Sequence, residues 1–148
     1  LKYTLKTETI KFEGGEITVR GLTVPDITQL VQVHQDSAVA IYAKFTGKDA
    51  AQLSEQTVES VALELLGKFP AAIAHLLYLC DAEREPDTTV EAYAGLPVDV
   101  QVAALEQVAT LTFAMQGGLK NFVEIVVRIA ANAGGLSKEL RSPQKLQA

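Results

Sequence analysis

The sequence predicts a mainly α fold, a helical domain opened by an N-terminal β-hairpin. Three observations carry this. Residues Thr7 to Gly21, TETIKFEGGEITVRG, alternate apolar and polar side chains on both sides of a glycine pair, the pattern of a hairpin. From Thr23 onward, apolar residues recur at spacings of three and four, the period of a helix with one buried face. The stretch from Pro97 to Gly135 holds two strongly apolar helical patterns that meet at Gly117-Gly118. At 148 residues the chain is most simply one domain, long enough for a sizeable core. It divides into a hairpin over 7–21, a helical body over 23–134 and a flexible tail over 135–148.

The hairpin is expected to turn at Gly14-Gly15. That turn pairs Phe12 with Ile17 and Ile10 with Val19 and places all four on one face. A lone hairpin is marginal in water, so this face must lie on the helices or join another sheet. Thr23-Val24-Pro25-Asp26 starts a helix: Thr23 caps, Pro25 suits the first turn, and Asp26 complements the positive helix end. The helix is expected to run to about Phe45 with Ile27, Leu30, Val31, His34, Ala38, Ile41, Tyr42 and Phe45 in its apolar stripe. A second helical region over Leu53 to Ala82 must break near Phe69-Pro70, because proline lacks the amide hydrogen and restricts the residue before it. Asp81 to Thr89, DAEREPDTT, reads as a charged, solvated connector without the ligand spacing or glycine of a calcium loop. Thr89 then caps a short helix, VEAYA, closed by Gly95.

In the last apolar pattern, Leu119, Phe122, Val123, Val126, Val127, Ile129, Ala130 and Ala133 leave one polar stripe of Lys120, Glu124 and Arg128. A helix wetted along one stripe is covered on most sides, by its own chain or by another. The pattern before it is wetter at its start and becomes apolar around Phe113 and Met115, and methionine suits adaptable binding surfaces. Phe113, Met115, Phe122, Val126 and Ile129 are therefore the candidate surface for self-association or for an apolar helical client.

Catalytic chemistry finds no such pattern. There is no P-loop, no G-x-G-x-x-G, no G-x-S-x-G and no H-E-x-x-H. His34 reads as a core or interface histidine with a satisfied ring nitrogen, and His75, off the apolar stripe, as a surface residue. Cys80, the single cysteine, reads as a small buried hydrophobe among acidic neighbours rather than a nucleophile. One cysteine excludes an intrachain disulfide and a cysteine zinc cluster, and fits a reducing compartment. No cofactor or metal is expected. A net charge of −5 without a basic patch argues against nucleic acid. No leader pattern or transmembrane segment is expected, since the most apolar window, Phe122 to Ala133, is short and carries Glu124 and Arg128.

The order of features resembles a known family. The opening hairpin running into a helix, EITVRGLTVPDITQLVQVH, the alanine-rich helices and the closing block ALEQVATLTFAMQGGLKNFVEIV resemble the tail assembly chaperones, or pre-tape-measure proteins, of long-tailed bacteriophages. The resemblance runs from about Thr7 to Ala133 and rests on patterns rather than invariant chemistry. It implies a mostly helical, non-enzymatic protein that binds the tape measure protein, with the tail-tube protein as a further candidate partner. It also implies that the chain keeps that long apolar client soluble while tube subunits assemble around it. Such a protein acts in the host cytoplasm, is expected to form a homo-oligomer, and is not expected in the mature virion. The alternative from another class is a self-assembling structural subunit of a tail or capsid, whose hairpin extends a neighbour's sheet. A small helical enzyme with an unrecognised acidic site is the third.

Overall fold

The structure is a computed structural model that describes residues 1–46 and 58–112, together with Arg128. It opens with an antiparallel hairpin, β1 (Thr7–Phe12) and β2 (Gly15–Arg20), followed by α1 (Val24–Val33) and α2 (Gln35–Thr46). After the interval come α3 (Val58–Lys68), α4 (Pro70–Cys80), the short α5 (Val90–Ala94) and α6 (Val98–Thr112). The fold is thus mainly α with an N-terminal hairpin, as its sequence periodicities require.

The hairpin register differs from the expected one by two residues. Ile10 pairs with Ile17, Phe12 with Gly15 and Glu8 with Val19, so Glu13 and Gly14 make the corner. Gly14 takes φ +97°, in the left-handed region that favours glycine, while Glu13 does not, so the corner is not the primed turn that needs positive φ at both central residues. A slip of two preserves the faces where a slip of one would invert them. Ile17 and Val19 are accordingly buried, and Ile10 and Phe12 pack half-buried against the same core. The far edge of β2 is also engaged: Val19 bridges Asp81, and the Ala82 amide donates to the Thr18 carbonyl at 2.8 Å.

Thr23 caps α1 through a reciprocal pair of bonds. Its hydroxyl accepts from the Asp26 amide at 3.3 Å, and its own amide donates to the Asp26 carboxylate at 2.8 Å. The single helix expected to run from Thr23 to about Phe45 is instead two. His34 leaves helical geometry at φ −120°, ψ 51°, its amide still closing α1 on Leu30 and its carbonyl opening α2 by accepting from Ala38. No glycine or proline marks this break. Its ring is held by a distant residue of α4, which local periodicity does not encode. The break at Phe69-Pro70 falls where expected, and the axis turns there by 113° between α3 and α4.

Helix α4 is the centre of the described core. Ile73, Ala74, His75, Leu76, Leu77, Leu79 and Cys80 are all buried, so it is covered on nearly every side. Val61, Ala62 and Leu65 of α3, Val100, Ala104, Leu105 and Val108 of α6, and Ile17 and Val19 of β2 close around it. This corrects the reading of His75 as a surface residue: on a helix covered all round, lying off the main stripe does not mean facing water. Gly21 lets the hairpin's exit pass close over the end of α6, where a Cβ would meet the backbone of Leu111 and Thr112 at 3.0 Å. The Leu22 amide then donates to the Thr112 hydroxyl at 2.9 Å. No single helix among the described residues is long and apolar enough to cross a membrane.

Three outcomes follow from this packing. Leu77→Ala, at a site with no exposure, is expected to destabilise by about 2–5 kcal/mol through lost burial and a residual cavity. Leu63→Ala, at a residue 44% exposed, stays within about 0.5 kcal/mol. Gly21→Ala costs about 1–3 kcal/mol, because backbone rather than a flexible side chain must give way. Urea midpoints of the three variants, with an unchanged slope, check all of them.

Candidate functional site

Most of the polar groups that the described core encloses fall into three sets. The first joins the hairpin to two helices. Arg20, at the end of β2, donates from Nη1 to the Asp26 carboxylate at 2.7 Å and to its neighbour's carbonyl, Gly21 O, at 2.8 Å. Its Nη2 reaches Asp26 again at 3.3 Å and the Leu79 carbonyl in the last turn of α4 at 2.7 Å. Burial alone would raise the Asp26 carboxyl, but the bonds from Arg20 and from the Thr23 amide and hydroxyl outweigh it and hold it below its ordinary value. Arg20 is raised in turn, chiefly by its hydrogen bond to Asp26. Next to this pair lies Cys80, fully buried, whose thiol burial pushes up to about 12. A thiol so far from ionisation is a packing element, not a nucleophile.

The second set is a row of rings along α4. His34 Nε2 and His75 Nδ1 lie 3.0 Å apart, so one donates and the other accepts. Tyr78 stands next to His75 with ring centroids 6.1 Å apart, and Tyr93 of α5 meets Tyr78 edge-on at 5.9 Å. The Arg84 guanidinium covers the Tyr78 ring at 3.9 Å and donates to the Tyr78 carbonyl. The two histidines, 41 residues apart in sequence, are thereby brought into contact. Both are held below the ordinary histidine value, first by burial and, for His75, also by the charge of His34.

The third set anchors the acidic loop. The Tyr93 hydroxyl donates to Asp81 at 2.6 Å, and the Glu83 amide donates to the other Asp81 oxygen at 3.0 Å. Burial, followed by that hydrogen bond, raises the Tyr93 phenol. Here the loop read as a plain connector is tied at its first residue, while Glu83 to Asp87 remain exposed. An open cleft of about 250 Å³ runs beside it, with Glu16, Asp81, Glu83 and Glu85 among its lining residues. Its charge disfavours anionic substrates. Among the described residues no group of three or more histidines, cysteines or acids is placed to hold a metal ion. Gln101, buried in α6, donates to the Ala94 and Leu96 carbonyls at 3.2 and 2.8 Å and closes the end of α5, a role no motif announced. Phe113, Met115, Phe122, Val126 and Ile129, the surface picked from sequence, lie outside the described residues.

The first two sets predict two separate pH windows. Asp26 is lowered in the fold, so its contribution is complete above the ordinary carboxylate value of about 3.9 and is lost as pH falls toward the folded value. The histidines are also lowered, but for a base this means that the unfolded chain takes up protons first. Stability therefore declines as pH drops through about 6.5 and on toward their folded values. A second proton on the pair would also set N–H against N–H across 3.0 Å. Unfolding free energy measured against pH should show two steps. The step near neutrality should flatten in His34→Gln/His75→Gln, and the acid step in Asp26→Asn. Asp26→Asn should also lower neutral stability by about 1–3 kcal/mol.

Comparison with known proteins adds one finding. A family model described as Pre-tape measure protein matches residues 1–147. No curated protein and no solved structure matches the chain. The match spans nearly all 148 residues, including hairpin, described helices and closing block. The chain therefore belongs to the pre-tape measure protein family, a family of phage tail assembly.

Proposed function

We propose that this protein is a non-enzymatic tail assembly chaperone that binds the tape measure protein and keeps it soluble while the tail tube forms. Family membership across residues 1–147 is the observation that carries the reading. Two features of the chain support it. Among the described residues, Arg20 and Asp26, His34 and His75, and Tyr93 and Asp81 satisfy one another as hydrogen-bonded pairs. The sequence of the closing block carries a largely apolar pattern at helical spacing with one polar stripe, and a helical client is bound by an apolar face or groove. We assign client binding to Phe113, Met115, Phe122, Val126 and Ile129. Action in the host cytoplasm, departure before the virion is complete, and contact with the tail-tube protein belong to the same proposal.

The test is co-expression of the tape measure protein with the wild-type chain and with Phe122→Asp and Val126→Asp. Wild type should hold the client in the soluble fraction and co-purify with it. Each variant should lose the client while its circular dichroism stays helical. If both variants unfold, these positions are core, because an unpaired buried charge is costly. A client equally soluble and unbound with or without the wild-type chain overturns the chaperone reading.

A further inference from the structure

The hairpin has two edges, and only one is used among the described residues. Thr18 accepts from Ala82 on the side away from β1, so the backbone groups of Thr18 point outward and those of Ile17 and Val19 point to β1. Their partners Ile10 and Glu8 turn their own N–H and C=O groups to β2. The Thr9 and Thr18 hydroxyls meet at 2.8 Å, as suits the closer, non-hydrogen-bonded pairs of such a ladder. It follows that Thr7, Thr9 and Lys11 present their N–H and C=O groups on the outer edge of β1. The sheet is two-stranded, with no described strand on that edge.

The six residues before β1, Leu-Lys-Tyr-Thr-Leu-Lys, also alternate, with their apolar residues at odd positions where β1 has its own at even ones, and they pair with nothing in the sheet. Leu1, Tyr3 and Leu5 share the parity of Thr7, Thr9 and Lys11 and are 120%, 76% and 48% exposed. Such an edge is a template for another strand. Charge complementarity favours a particular one. In an antiparallel pairing about a two-fold axis, outward residues must meet outward residues. Centring the axis on Thr7 satisfies this and pairs Leu5 with Thr9 and Tyr3 with Lys11 of the other copy. It also sets Lys6 of each copy opposite Glu8 of the other, on both sides of the axis. Shifting the centre to Lys6 brings two lysines face to face, and shifting it to Glu8 brings two glutamates together, which is unfavourable for directly opposed residues.

We propose that a second copy of this chain docks on the outer edge of β1, antiparallel and centred on Thr7, to make a four-stranded sheet of order β2-β1-β1-β2. The contact is self-complementary, as a two-fold interface requires. It is independent of the client surface assigned above.

Sedimentation of the full-length chain tests it. Wild type should dimerise. Glu8→Lys turns both attractive pairs into repulsive ones and should weaken dimerisation on the order of tenfold or more. The exchange Lys6→Glu/Glu8→Lys should restore it. All these side chains are exposed, so the helical signal should be unchanged throughout. A second readout fixes the register. Across the axis, hydrogen-bonded residues have Cα atoms about 5.5 Å apart, within disulfide reach. Thr7→Cys should therefore crosslink to a dimer under mild oxidation, and Thr9→Cys, displaced from its own copy by four residues or roughly 13 Å along the strands, should not. Cys80, fully buried with its thiol pushed up to about 12, does not confuse the result. A monomeric wild type overturns the proposal. So does an oligomer indifferent to Glu8→Lys, or one in which Thr9→Cys crosslinks and Thr7→Cys does not.

Discussion

Arg20 fixes how the hairpin sits on the helices. Its guanidinium holds the capping carboxylate of α1 and a terminal carbonyl of α4 at once. The planar fork of arginine suits this, since it serves two acceptors on different elements without changing rotamer. Asp26 is used twice as well: it closes the cap on Thr23 and neutralises Arg20. Neither group is dispensable alone, because removing one leaves the other charged and enclosed. The arrangement explains why a two-stranded sheet, marginal by itself, is stable here. Its inner face is buried on α4 and α6 through Ile17 and Val19, its exit is clamped by Arg20, and its second edge is bridged by Asp81.

Short-range pattern carried much of the fold. Alternation about a glycine pair identified the hairpin and its buried face, and Thr23, Pro25 and Asp26 located the start of α1. Phe69-Pro70 and Gly95 marked real boundaries for local steric reasons. The hairpin register was missed because Gly14-Gly15 allows two corners. The inward faces are the same in both, so side-chain pattern cannot choose between them; among the described residues the positive φ falls at Gly14.

The polar sites were less legible, for a different reason. Arg20 bonds a carbonyl 59 residues away, and His34 meets His75 across 41 residues. A polar residue carries no periodic signal of its partner, and its burial can be read only once the neighbouring helices are in place. His75 shows the failure most clearly. Its position off the main stripe argued for water, but α4 carries apolar residues around its whole circumference and is covered on nearly every side. The same all-round apolar signal in the closing block led to the surface at Phe122 and Val126, which lies outside the described residues. In α4 it marks a helix covered by its own chain. The pattern thus identifies a helix that must be covered, and family membership supplies the argument for a client as the cover.

The hairpin relates these observations to assembly. Rigid attachment of β2 to the body also fixes β1, whose outer edge then offers backbone groups already in strand geometry. Preorganisation of this kind lowers the ordering cost of adding another strand. Natural edge strands discourage such additions with charge placed where any neighbour would meet it. Here the charges are not uniformly repulsive: Lys6 and Glu8 disfavour the registers centred on either of them and favour the one centred on Thr7 that sets them opposite each other. An edge patterned in this way selects its partner, and the partner that satisfies it is its own copy.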